Sequence, residues 1–161
     1  MLLSATCSVQ DINQICESLQ ISQENLNIFR SKNLARPEIK IEVQPKGQKQ
    51  KLLLEIINLI EGVIEGKVII YCATPNSCEE IYDELAKKLA PDSLSIYHGN
   101  IDGTSKKQAI QGWKNNQYKV MIATNAFGLG INTPDVRIVI HVTFPLNLGK
   151  YNCLLMQILI Y

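Results

Sequence analysis

Between Leu53 and Val142 the apolar residues switch repeatedly between two periods, and that alternation restricts the chain to few architectures. Leu53, Ile56, Ile57, Ile60 and Ile64 recur at helical spacing, closed off by Gly62 and Gly66. "KVIIYCA" follows, a continuous apolar run of strand length that suits a strand buried on both faces. "TPNSCEEIYDELAKKL" returns to the helical period, with Pro75 suited to the first turn and with early glutamates and late lysines suiting the helix dipole. "LSIY" predicts a second strand, Ser105 to Asn116 a second helix, "KVMIAT" a third strand and "VRIVIHV" a fourth. Strands that alternate with helices predict an α/β fold, a parallel sheet with right-handed crossovers. Such sheets collect ligands at the carboxyl ends of their strands.

The flanks are less regular. Ser8 to Asp11 has the Ser-x-x-Asp capping pattern, and Val9, Ile12, Ile15, Cys16 and Leu19 then recur at helical spacing. Residues 21–50 are polar, contain Pro37, Pro45 and Gly47, and read as a linker holding one strand, "IKIEV", before the cluster Lys46, Lys49 and Lys51. A chain of 161 residues suits one ordinary domain, or one domain plus fragments of another. Sixteen basic and fifteen acidic residues nearly cancel, so a nucleic-acid site has to be a local patch. The five cysteines form no CxxC pair and the two histidines lie far apart, which excludes zinc-ligand spacing. The odd cysteine count and the lack of an export signal point to reduced thiols in the nucleus or cytoplasm. No membrane partner is expected: the apolar tail "CLLMQILIY" is half the length that spans a bilayer.

One loop carries the chemistry. "ATNAFGLGIN", Ala123 to Asn132, sits at the carboxyl end of the third predicted strand. Gly128 and Gly130 allow close backbone approach to a ligand or a positive φ, and Thr124 and Asn125 offer hydrogen bonds to phosphate or ribose. A tight corner with no ligand explains the same glycines, and spacing does not separate the two. Lys106, Lys107 and Lys114 either add local positive potential or form a solvated helix face. His98 near a strand end and His141 within a strand read as hydrogen-bonded structural histidines, and Trp113, with Ala109 and Ile110, as core. Asp83-Glu84-Leu85-Ala86 lies inside a helix, away from the strand end that a metal-binding Asp-Glu box requires.

Four stretches, "LLSAT", "VIIYCAT", "IYHGN" and "VMIATNAFGLGINTPDVRIVIHVTFP", come in the order found in superfamily 2 helicases. The last closely resembles the RecQ family of ATP-dependent DNA helicases, whereas DEAD-box RNA helicases carry a different wording there. The resemblance covers Met1 to about Pro145 and implies a RecA-like parallel sheet flanked by helices. It places the end of a first RecA-like domain at 1–20, a linker at 21–50, the second RecA-like domain at 51–145 and a divergent tail at 146–161. Carried over by position, Ser4 and Thr6 resemble the motif that couples the two domains. Thr74, His98, Gly99, Thr124 and Asn125 fall on DNA-contacting positions, and Gly128, Gly130 and Asn132 on nucleotide-contacting ones. Asn132 serves equally as a cap for the turn before Pro134.

The resemblance implies part of a 3′-to-5′ helicase that works with ATP and Mg2+ on DNA, as a single strand or a duplex junction. The sequence holds no GxxxxGK[ST] loop, no strand-end Asp-Glu pair and no Gln-x-x-Gly-Arg-x-Gly-Arg stretch. The expectation is therefore a fragment that does not turn over ATP by itself and needs the missing first RecA-like domain as partner. A noncatalytic interaction module using the "LLSAT" edge, and a DEAD-box-like fragment, are the alternatives.

Overall fold

A computed structural model of the chain describes residues 7, 9–22, 24, 26–29, 39–43, 45, 47–128 and 134–143. The "LLSAT" stretch, Ser4 and Thr6, the Ser8 cap, Gly130, Asn132 and the tail from 146 lie outside them. Helix α1 spans Val9–Leu19 and α2 spans Lys49–Gly62. Strand β1 (Lys67–Tyr71), helix α3 (Pro75–Ala86) and strand β2 (Leu94–Tyr97) follow. Helix α4 (Gly103–Lys114), strand β3 (Val120–Ala123) and strand β4 (Val136–His141) complete the described elements.

The strands form one four-stranded sheet in the order β2-β3-β1-β4, and every pairing is parallel. Val68 faces Val120 and Tyr71 faces Ala123; Leu94 faces Val120 and Tyr97 faces Ala123. β1 is buried at all five positions, as its unbroken apolar run requires of a central strand. Because side chains alternate along a strand, the sheet feeds two cores. Val68, Ile70, Val120 and Ile122 pack with Ile56 and Ile60 of α2 and with Cys78, Ile81 and Leu85 of α3. Ile69, Tyr71, Met121 and Ala123 point the other way, toward Ala109 and Trp113 of α4 and toward Phe127. A sheet sandwiched between helices results.

Local chemistry starts the helices. Thr74 caps α3 by accepting from the Ser77 amide at 3.2 Å, with Pro75 in the first turn. Asp102 caps α4, accepting from the amides of Thr104 at 2.8 Å and Ser105 at 2.9 Å, so that helix begins two residues before its predicted start. Those bonds, led by the one from the Ser105 hydroxyl, hold the Asp102 carboxyl below its ordinary range.

Two expectations are corrected. Ile39 to Val43 forms no strand: Ile41 and Val43 are exposed, and a lone extended run without a neighbour has no ladder to join. Ile64 does not continue the α2 face, because the helix stops at Gly62 and extended Val63 turns inward in its place, leaving Ile64 exposed. In α1, Cys16 is buried and Ile12 and Ile15 are half-buried, whereas Val9 and Leu19 face solvent. No helix among the described residues is long and apolar enough to cross a membrane.

Candidate nucleic-acid interface at the strand ends

Parallel pairing brings the carboxyl ends of all four strands to one edge of the sheet. Backbone hydrogen bonds continue past the strands: Cys72 donates to the Ala123 carbonyl at 2.8 Å, Thr124 to that of Tyr97 at 3.1 Å and Val142 to that of Tyr71 at 3.0 Å. The edge therefore assembles Thr74 after β1, His98 and Gly99 after β2, and the Thr124–Gly128 loop after β3.

The loop is half anchored and half open. Phe127 is 1% exposed, its ring 5.2 Å from that of Tyr97 and 5.8 Å, edge-on, from that of Trp113. The Phe127 amide donates to the Thr124 carbonyl at 3.0 Å, closing a turn whose outer residues, Asn125 and Ala126, are exposed. The amides of Asn125, Ala126 and Gly128 donate to no carbonyl among the described residues. Gly128 has φ +125°, a conformation that side chains disfavour. So the loop buries Phe127 and Gly128 and exposes Asn125 and Ala126.

Gly99 is exposed and lacks a positive φ, and a Cβ built there meets nothing within 4 Å. The fold itself does not require glycine there. The Lys106 ammonium donates to the Gly99 carbonyl at 2.7 Å, placing one positive charge beside this turn. Lys107 and Lys114 are exposed on α4.

His98 requires a correction. Its side chain is 1% exposed, with Nε2 3.5 Å from the Glu79 carboxylate, so the ring presents no surface to a nucleic acid. Gly99 is left to offer backbone at that turn. Thr74 is exposed, but its hydroxyl is engaged with Ser77 at 2.9 Å. His141 is half-buried and stacks on Tyr71 with centroids 5.2 Å apart; burial holds its imidazole below the usual range. Trp113 is fully buried, and the Asp83–Ala86 tetrapeptide lies within α3.

Several site-supporting residues are invisible to periodicity. Lys67 is 4% exposed, pairs with Asp135 at 2.9 Å and lies 5.0 Å from the Trp113 ring centre. It ties the start of β1 to the segment that re-enters the sheet as β4. The Tyr71 hydroxyl donates to the Phe127 carbonyl at 3.0 Å within the core, and burial pushes that phenol well above its ordinary range. Cys72 and Cys78 are buried and share a hydrogen bond, which lowers the Cys72 thiol and raises that of Cys78. Among the described residues no three His, Cys, Asp or Glu side chains converge as a metal site requires.

Comparison with known proteins matches this arrangement. Residues 48–155 match the family model described as the helicase conserved C-terminal domain. An ATP-dependent RNA helicase of Acanthamoeba polyphaga mimivirus is 34% identical over 94% of this chain and 26% of its own length. The RecQ-like DNA helicase blm-1 of Caenorhabditis elegans is 29% identical over 92% of this chain and 14% of its own. The DNA helicase hus2/rqh1 of Schizosaccharomyces pombe is 31% identical over 94% and 11%. The chain thus spans about a tenth to a quarter of the length of these relatives. Among solved structures, Saccharomyces cerevisiae Dbp5 bound to RNA and ADP BeF3 superposes with a TM-score of 0.61 at 22% identity, covering 66% of this chain and 28% of that one. The yeast DEAD-box splicing factor Prp28 gives 0.59 at 17% identity, covering 70% and 24%. These likenesses show the RecA-like helicase C-terminal fold.

Proposed function

The chain belongs to the helicase conserved C-terminal domain family, and from that premise we propose that it supplies the second motor domain of a RecQ-type, ATP-dependent 3′-to-5′ DNA helicase. Its part is to hold a single strand or duplex junction by the phosphate backbone while responding to nucleotide. The observation that carries this is the open half of the Thr124–Gly128 loop, with Asn125 and Ala126 exposed beside the open flank of Gly99.

A motor that moves over varied sequence gains from gripping phosphates, which position a strand without reading its bases. Backbone amides and the Thr124 hydroxyl donate to phosphate oxygens without bringing full charges, which agrees with the near-zero net charge. Thr74 and Gly99 flank the loop on neighbouring strand ends. Gly128, Gly130 and Asn132 face the nucleotide in this proposal, and Ser4 and Thr6 couple it to the other motor domain. Among the described residues no acidic cluster suits Mg2+, and the sequence holds no GxxxxGK[ST] loop, so in this proposal the first RecA-like domain provides the groups that cradle ATP and its metal. DNA is favoured over RNA by the wording "ATNAFGLGIN-TPDVR".

The test is fluorescence anisotropy with a labelled oligo-dT strand and an oligo-U strand of equal length, across a salt series. The expected result is weak binding that favours dT. With at most the three lysines of α4 adding charge contacts, the expected slope of log affinity against log salt is no steeper than about −2. Absence of dT binding at low salt, or a clear preference for U, defeats the proposal.

A further inference from the structure

We propose that Thr74 is a phosphoacceptor for a proline-directed serine/threonine kinase, and that the phosphate placed there closes the strand-end edge to DNA. The closure rests on the function proposed above; the acceptor site stands on this chain alone.

Thr74 is followed by Pro75, and the sequence holds one other Thr-Pro pair, in which Thr133 lies outside the described residues. Proline pushes the residue before it into extended backbone, and Thr74 has φ −131° and ψ 156°. A kinase cleft takes its acceptor in that extended form. Thr74 is exposed, as are Ala73 before it and Asn76 beyond the proline, in the short connection from β1 into α3. The kinase transfers the γ-phosphoryl group of ATP to the Thr74 oxygen, releasing ADP and the hydroxyl proton.

The fold accommodates the product. The Thr74 oxygen caps α3, accepting from the Ser77 amide at 3.2 Å. A phosphate ester keeps that oxygen, and its charge of about −1.5 to −2 at pH 7 lies at a helix amino end, where anions are favoured. DNA does not accommodate it. Tyr71 faces Ala123 across the ladder, so Thr74 and the exposed Asn125 leave neighbouring strand ends. A strand held by the Thr124–Gly128 loop therefore meets a fixed charge of its own sign. The Lys49 ammonium, which reaches α3, is paired with Glu80 at 3.2 Å. Lys106, Lys107 and Lys114 of α4 bring at most three positive charges, of which one phosphate cancels about half or more.

The full 161-residue chain is treated with a proline-directed kinase and Mg-ATP, mapped by peptide mass, and titrated against labelled oligo-dT by anisotropy. Expected is a phosphate on Thr74 and an unchanged circular dichroism spectrum. Affinity for dT falls about tenfold or more at low salt, and the difference narrows as salt screens the repulsion. Thr74→Val binds dT equally after kinase and after mock treatment. Absence of phosphate from Thr74, or phosphate confined to Thr133, overturns the acceptor site. A phosphorylated chain that binds dT as before, or a loss that does not narrow with salt, overturns the closure and leaves the grip standing. A kinase-dependent loss of equal size in Thr74→Val assigns the effect to another residue and overturns it too. Failure of the unmodified chain to bind dT removes the grip and the closure together, while the peptide map still decides the acceptor site. Should Thr74→Val not fold, Thr74→Asn replaces it, keeping a capping side chain without a hydroxyl.

Discussion

Gly66→Ala provides a direct test of how the sheet is entered. Gly66 has φ +105°, where an L side chain is strained by about 1–3 kcal/mol. A Cβ there falls 2.6 Å from the Asp135 carbonyl oxygen and 2.6 Å from Arg137 Cγ. The arginine stem can move aside, but the carbonyl is fixed. It accepts from the Lys67 amide at 2.9 Å, while the Asp135 carboxylate pairs with the Lys67 ammonium, also at 2.9 Å. Displacing it weakens a hydrogen bond worth about 0.5–1.5 kcal/mol. Together the strain and the lost bond give a destabilisation of about 2–4 kcal/mol.

Urea unfolding followed by far-ultraviolet circular dichroism measures this, with an unchanged m-value as the sign of one cooperative unit. Gly62→Ala is the comparison: it ends α2, lacks a positive φ, and its added Cβ meets nothing within 4 Å. That change is expected to be neutral or stabilising by up to about 1 kcal/mol, since alanine lowers the entropy of the unfolded chain. A loss below about 1 kcal/mol at Gly66, or equal effects at the two glycines, refutes the reasoning that strain and the Asp135 carbonyl demand glycine there.

Phe127→Leu roughly keeps the side chain's bulk but loses ring contacts to Tyr97 and Trp113; a cost of about 1–3 kcal/mol is expected by urea unfolding, with weaker dT binding in anisotropy. His141 is held below the usual imidazole range by burial, so the unfolded chain takes up its proton first. Stability contributed there is present above about pH 6.5 and falls as pH drops from that value toward the depressed folded-state value. His141→Gln flattens that part of the profile. Cys72 and Cys78 are buried, so both are expected to resist maleimide labelling in the native chain and react on unfolding, whereas half-buried Cys7 reacts first. Rapid native labelling of Cys78, read by peptide mass, contradicts the packing of α3 against β1.

Much of the architecture is legible because local pattern and tertiary demand agree. The unbroken run at Lys67–Tyr71 says central strand, and the Thr74-Pro75 start of α3 carries its own cap and fixed φ. The family likeness likewise rests on a contiguous string, and the matched family model spans that string. What stays hidden depends on partners distant in sequence. Nothing near Lys67 announces Asp135 or Trp113, and nothing near Tyr71 announces the Phe127 carbonyl. His98 falls on a DNA-contacting position by family resemblance, yet packing against α3 covers it. "IKIEV" alternates like a strand, but alternation does not supply a neighbouring strand.

Synthesis meets the β2-β3-β1-β4 order awkwardly. Of the four described strands β1 emerges first and becomes one of the two inner ones, yet its ladder partners begin at Val120 and Val136. While the ribosome makes α3, β2 and α4, the ribbon Val68 to Tyr71 has both edges open, and α2 and α3 can shield just one of its faces. A nascent chain that stalls before Val120 therefore presents a ready template for pairing with its neighbour on the same messenger.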